Sequence, residues 1–114
     1  MIALSSFFQS GCTQKPTLKD SEPQEVLKIT PAYPAEPWKN KVEGWVVVEF
    51  TINTSGSVES VSVVDSNPVG VFDATALHAI QHHKFGPKIV DGKKVKAIRT
   101  KRFEFNIEAY LNNN

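Results

Sequence analysis

The sequence predicts an α+β domain, a three-stranded antiparallel sheet with two helices packed on one face. Three observations carry that expectation. Two segments, around residues 45–53 and 95–108, alternate apolar and polar residues with a period of two. One segment between them repeats its apolar residues at helical spacing. Alternation with one apolar face suits an antiparallel sheet covered on one side only, and the order helix, strand, strand, helix, strand is satisfied by stacking both helices on that face.

The elements follow in chain order. Residues 1–12 hold a short apolar run, Met1 to Phe8, ending at Gln9-Ser10-Gly11-Cys12. It has no Lys or Arg ahead of it, so it is a poor secretory signal as written. Small residues before a lone cysteine resemble a bacterial lipoprotein signal, which makes Cys12 a candidate lipid-attachment residue; the plainer reading is an N-terminal tail with an incidental thiol. Residues 13–28 are polar, carry Pro16 and Pro23, and read as a flexible tether.

The folded domain is expected over residues 29–108. Pro31, Pro34 and Pro37 favour extended or turning backbone. A short helix is expected from Pro37 to Val42, closed by Gly44 in a left-handed cap. Trp45 to Asn53 is the clearest strand, with Val46, Val48, Phe50 and Ile52 on the core face. Asn53-Thr54-Ser55-Gly56 is a turn, and Val58 to Asp65 returns as the second arm of a hairpin. A helix is expected from Phe72 to Lys84, with Phe72, Ala76, Ala79, Ile80 and His83 on one stripe, ended by Gly86-Pro87. Asp91-Gly92 is a further turn. The last strand is expected from Val95 to Glu108, with a bulge where Arg99 and Lys101 interrupt the apolar face. Residues 109–114 read as a frayed tail.

Composition narrows function by exclusion. The net charge is +1 and there is one cysteine among 114 residues. No global field calls for nucleic acid or an anionic membrane, and neither a disulfide nor a cysteine-based metal cluster can form within the chain. No run reaches the roughly 18–20 apolar residues that span a bilayer. His78 and His82 have metal-ligand spacing, but no carboxylate joins them at the next turn and a solvated helix face is favoured, so no metal is expected. Neither a nucleophile elbow nor a phosphate-binding loop occurs, and catalysis has little support; no cofactor is expected.

At this point an ordered set of residues resembles the C-terminal domain of TonB energy transducers. It runs through Pro31, Tyr33 and Pro34, then Val42-Glu43-Gly44 and Val46 to Phe50. Gly56 and Val58 fit the hairpin turn. Pro68, Phe72, Asp73, Ala76, Leu77, Ala79 and Ile80 fit the second helix, Lys84, Phe85 and Pro87 its exit, and Phe103 and Phe105 the last strand. Two positions depart from the family pattern: Pro37 stands where alanine is common, and His83 where tryptophan is common.

The resemblance implies a periplasmic protein-interaction module that is not an enzyme. It would bind the TonB-box-like segment of an outer-membrane TonB-dependent receptor, or a related envelope protein, by adding it to the edge of the last strand. The ExbB and ExbD system is the implied source of energy, although the chain as given lacks the membrane helix and long spacer of transducing members. The implied partner-binding residues are Lys96, Ile98, Arg99, Thr100, Lys101 and Arg102, with Tyr33 and Pro34 orienting the partner. Against this, Tyr33 and Pro34 would only staple the chain to the core, and the strand cations would only guard the edge against aggregation. Six of the thirteen cations fall between Lys93 and Arg102, which favours an acidic partner. Trp38 and Trp45 are read as an exposed aromatic contact, or Trp45 as cover for the second sheet face. An envelope scaffold lipoprotein of the same fold is the alternative function. A homodimer formed by strand exchange is compatible with an open edge. Nucleic acid is not an expected partner, because Phe103 and Phe105 face the core and offer no stacking platform.

Overall fold

The computed structural model describes residues 19–112. Residues 1–18, which include the candidate lipid site Cys12 and the first part of the expected tether, lie outside the described residues. The α+β expectation holds. The elements are β1 (Gln24–Leu27), α1 (Ala35–Lys39), β2 (Gly44–Ile52), β3 (Val58–Asn67), α2 (Asp73–Gln81), β4 (Lys84–Gly86), β5 (Lys88–Val90), β6 (Lys93–Val95), β7 (Ala97–Phe105) and α3 (Ile107–Asn112). The main sheet has the order β3-β2-β7, and β1-β4 and β5-β6 form two small ribbons.

The core sits between β2 and α2. Val46, Val48, Phe50 and Ile52 point from the central strand into it, and all four are buried. Opposite them lie Phe72, Ala76, Ala79, Ile80 and His83, each completely buried, so the helical stripe read from the sequence is the packed face of α2. Phe103 and Phe105 complete it from β7, with the Phe105 ring stacked on Phe72 at 4.2 Å between centroids.

Turn chemistry fixes the hairpin. The Asn53 side-chain oxygen accepts from the Ser55 and Ser57 amides, at 3.0 and 2.9 Å. Gly56 takes φ 87°, and a Cβ there would lie 2.0 Å from the Phe85 carbonyl oxygen. Glycine is therefore demanded twice, by backbone conformation and by the close approach of β4. The Asp91-Gly92 turn joins β5 to β6 with both residues at positive φ, 53° and 77°.

Several boundaries differ from expectation. The first helix starts at Ala35, because Pro34 already has extended backbone at the cap and Pro37 is tolerated within the first turn. Lys41, at φ 59°, supplies the left-handed residue after it. Gly44 is needed for space: a Cβ would meet the Asn67 oxygen at 2.1 Å. The second helix ends at Gln81, three residues earlier than expected, because Lys84–Gly86 pairs with β1 as a strand. Residues 24–27 of the expected tether are thus an ordered strand, and the fold begins before residue 29. The bulge expected near Arg99 and Lys101 is not there: β2 and β7 pair without a break from Gly44↔Phe105 to Ile52↔Ala97. The irregularities lie in the β2–β3 pairing instead, one of them beside Ser60 at φ 55°. Ile107 begins α3 rather than continuing the strand, so the expected frayed tail is helical as far as Asn112. The Glu43 carboxylate caps that helix by accepting from the Ile107 amide at 2.8 Å.

Candidate functional site

β7 borders the sheet, with β2 on one side and no strand on the other among the described residues. Its side chains divide cleanly. Ala97, Phe103 and Phe105 are buried and Arg99 and Lys101 half-buried on the helix side, whereas Ile98, Thr100 (half-way along the strand), Arg102 and Glu104 are exposed on the open face.

The direction of the backbone groups follows from the hairpin. In an antiparallel strand the N–H and C=O of one residue address one neighbour, and those of the next residue address the other. The Asn53 amide donates to the Ser57 oxygen (2.9 Å), so residue 53 addresses β3. By alternation Thr51, Glu49 and Val47 also address β3, leaving Phe50, Val48 and Val46 to address β7. Their register partners Arg99, Lys101 and Phe103 address β2 in return. The peptide groups of Ile98, Thr100, Arg102 and Glu104 therefore point away from the sheet. Among the described residues no backbone bond reaches them. The Ile98 oxygen accepts from the Arg99 guanidinium (2.9 Å), so the edge is blunted at its first outward position and open at the next three.

A groove of about 320 Å³ runs along this border, between residues 28–31 and residues 101–104. Lys28, Lys101 and Arg102 make it predominantly cationic, with Glu104 at one end. The Arg102 guanidinium lies over the Trp45 ring at 4.5 Å on the open face and also pairs with Glu104. Trp45 thus covers the second sheet face and carries a cation on it. Lys101 reaches Glu25 at 2.7 Å, Arg99 pairs with Glu22, and Lys96 reaches Glu59 at 3.1 Å. Four of the strand cations read from the sequence as a field for an acidic partner are therefore matched within the chain.

Burial works to raise the Glu25 carboxyl, but the hydrogen bond from Lys101 and the charges of Lys101, His83 and Lys28 outweigh it and hold it below 4.5. His83 lies beneath. Its Nδ1 is 2.8 Å from the Ala79 carbonyl oxygen, which makes Nδ1 the protonated nitrogen. Nε2 faces Glu25 at 3.8 Å with no hydrogen-bond partner.

Tyr33 sits at the far end of β7, its ring 5.8 Å from that of Phe105. It also meets Trp38, Phe72 and Tyr110 edge-on, at 5.2, 5.5 and 5.6 Å. Its hydroxyl donates to the Val42 oxygen at 2.5 Å, and burial, with Glu43 nearby, raises its pKa above 10.0. The Pro34 oxygen accepts from the Trp38 amide (3.0 Å) at the start of α1. Both residues thus have structural work at the end of the candidate edge. His78, in the last turn of α2, and His82, at its C-terminal cap, lie side by side, with His82 Nδ1 2.8 Å from the His78 oxygen; no cluster of three candidate metal ligands occurs among the described residues.

Sequence reasoning missed Glu22, Glu25 and Lys28. They lie in the stretch read as a tether, and a pair such as Glu22–Arg99, 77 residues apart, leaves no local pattern. The one available signal was the acidic character of residues 20–25 set against the basic character of residues 93–102.

Comparison with known proteins bears on this arrangement. The family described as Gram-negative bacterial TonB protein C-terminal matches residues 29–107. Protein TonB of Pseudomonas aeruginosa is 34% identical over 92 residues, covering 81% of this chain and 27% of that protein. Protein TonB of Vibrio cholerae is 32% identical over 85 residues, covering 75% and 35%. The chain thus spans about a third or less of these relatives. The solution NMR structure of the Pseudomonas aeruginosa TonB CTD superposes with a TM-score of 0.67 at 33% identity, covering 82% of this chain and 94% of that one.

Proposed function

The chain belongs to the TonB C-terminal domain family, and on that premise we propose that the outer edge of β7 receives an extended peptide of an outer-membrane TonB-dependent receptor as a fourth strand. The observation that carries this reading is the open edge itself, with three consecutive outward-facing peptide units at Thr100, Arg102 and Glu104. Strand addition supplies affinity through backbone hydrogen bonds and specificity through alternate side chains. Ile98, Thr100 and Arg102 would meet the partner's side chains on the open face. Lys96, Arg99 and Lys101 would steer it and flank it on the other side, and Tyr33 and Pro34 would hold the end of the groove in shape.

The same proposal places the domain in the periplasm, where it would couple a receptor to an ExbB–ExbD-type energy source. Acylation of Cys12 would add a membrane anchor, checked by the mass of the mature chain extracted from membranes. No helix among the described residues is long and apolar enough to cross a membrane.

The test is a titration of isotope-labelled chain with peptides from receptor N-termini, followed by backbone amide shifts. Strand addition predicts shifts concentrated in residues 96–105 and in the facing residues 28–31. Absence of shifts with every peptide would favour an envelope scaffold with the same fold.

A further inference from the structure

Arg99 and Lys101 are two residues apart on the helix side of β7, and both are held by acids from one distant segment. Glu22 pairs with Arg99 and Glu25 with Lys101. That segment does not pair its backbone with β7. Ser21 exchanges hydrogen bonds with Ile89, at 3.1 and 2.9 Å, and β1 pairs with β4. Its carboxylates are thus presented to the border strand from alongside.

A strand added to β7 would set its own helix-side residues directly across from Arg99 and Lys101, about 4.5–5.5 Å away between Cβ atoms. Those are the positions that Glu22 and Glu25 serve in the free domain. The segment is also weakly held. All four β1 residues are exposed, with Val26 and Leu27 at 73% and 48%, so little apolar burial opposes its release.

We propose that the acidic segment around Glu22 and Glu25 is an internal stand-in for the partner strand. It keeps Arg99 and Lys101 paired in the free domain, and an incoming strand with acidic side chains at alternate positions takes the same two cations by displacing it. This rests on strand addition at β7 and names the chemistry of the strand that fits there: acidic at residues i and i+2 on the helix side. Exchange of one partly exposed ion pair for another is nearly balanced, so the stand-in lowers affinity for acidic strands without abolishing it and leaves neutral strands unaffected.

The test uses the full chain and its E22Q/E25Q variant with two synthetic seven-residue peptides, one alternating valine with glutamate, the other valine with glutamine. Two freed cations predict that the variant binds the glutamate peptide roughly 2–30-fold tighter than the natural chain does. The glutamine peptide is expected to bind both proteins equally. In the natural chain, the glutamate peptide should also shift the amides of residues 21–27 as the segment leaves. Equal or weaker binding of the glutamate peptide by the variant overturns the stand-in, as does an equal gain for both peptides, which would mark a steric rather than a charge effect. In those cases β7 shifts still report strand addition. Absence of β7 shifts with either peptide in either protein refutes strand addition itself.

Discussion

Proline substitution at successive residues of β7 separates the two sides of the strand. Thr100 and Lys101 are neighbours in an unbroken register with Glu49 and Val48, yet their amides point in opposite directions. Proline at Lys101 removes a donor that serves β2 and leaves the facing acceptor unmatched. The net loss is about 0.5–1.5 kcal/mol for the bond and about 1–3 kcal/mol for the orphaned group, and the Glu25 contact at 2.7 Å goes as well. A destabilisation of about 2–4 kcal/mol is expected, read as a lowered midpoint in urea denaturation. Proline at Thr100 removes an outward donor that serves no strand in the free domain, and edge positions of this kind tolerate proline. Its stability should stay within about 1 kcal/mol of the natural chain. Peptide affinity should behave the other way: Thr100→Pro forfeits a backbone bond to the added strand and should weaken binding about tenfold. If Thr100→Pro unfolds the domain while Lys101→Pro leaves it intact, the assignment of outward and inward peptide groups is reversed. If both bind a receptor peptide like the natural chain, the edge is not where the partner pairs.

Three further outcomes follow from the packing and the charges. Gly56→Ala should destabilise the fold by several kcal/mol, above the usual ~1 kcal/mol for a point change, because its Cβ would stand 2.0 Å from the Phe85 oxygen at φ 87°; thermal denaturation checks this. Phe103→Ala should cost about 3–5 kcal/mol, since the ring is 6% exposed in the core, and an unchanged denaturation midpoint would refute its burial. The Glu25 carboxyl is held below 4.5 in the fold, so its contribution is present above that value and lost as pH falls through the lowered one. The stability gap between the natural chain and Glu25→Gln should therefore close on acidification from about pH 5.5 to about pH 3; a gap that widens would contradict the Lys101 pairing.

Much of the core was legible in the sequence because it rests on local periodicity. The alternation Val46, Val48, Phe50, Ile52 and the stripe from Phe72 to His83 mark two buried faces whose residues all prove buried. The turns at Gly56 and Asp91-Gly92 were legible for the same reason, as single residues whose backbone needs are distinctive. What escaped depends on distant partners. Each residue of β1 is exposed, so no apolar pattern marks it, and its order comes from pairing with β4 and from the ion pair at Lys101. A helix over 107–112 is announced by no periodicity; Tyr110 fastens it by packing on Tyr33 and Trp38. Arg99 and Lys101 pointed to a break in the strand because cations on an apolar face usually signal one. They stay in register because Glu22 and Glu25 meet them there.

Hydrogen exchange, resolved amide by amide along β7, tests the open edge most directly. In the free domain the amides of Thr100, Arg102 and Glu104 should exchange rapidly, while those of Arg99, Lys101 and Phe103 are protected by β2. Saturation with a receptor peptide should slow the first set and leave the second unchanged. Protection of Thr100, Arg102 and Glu104 before any peptide is added, or their continued rapid exchange at saturation, would contradict the account.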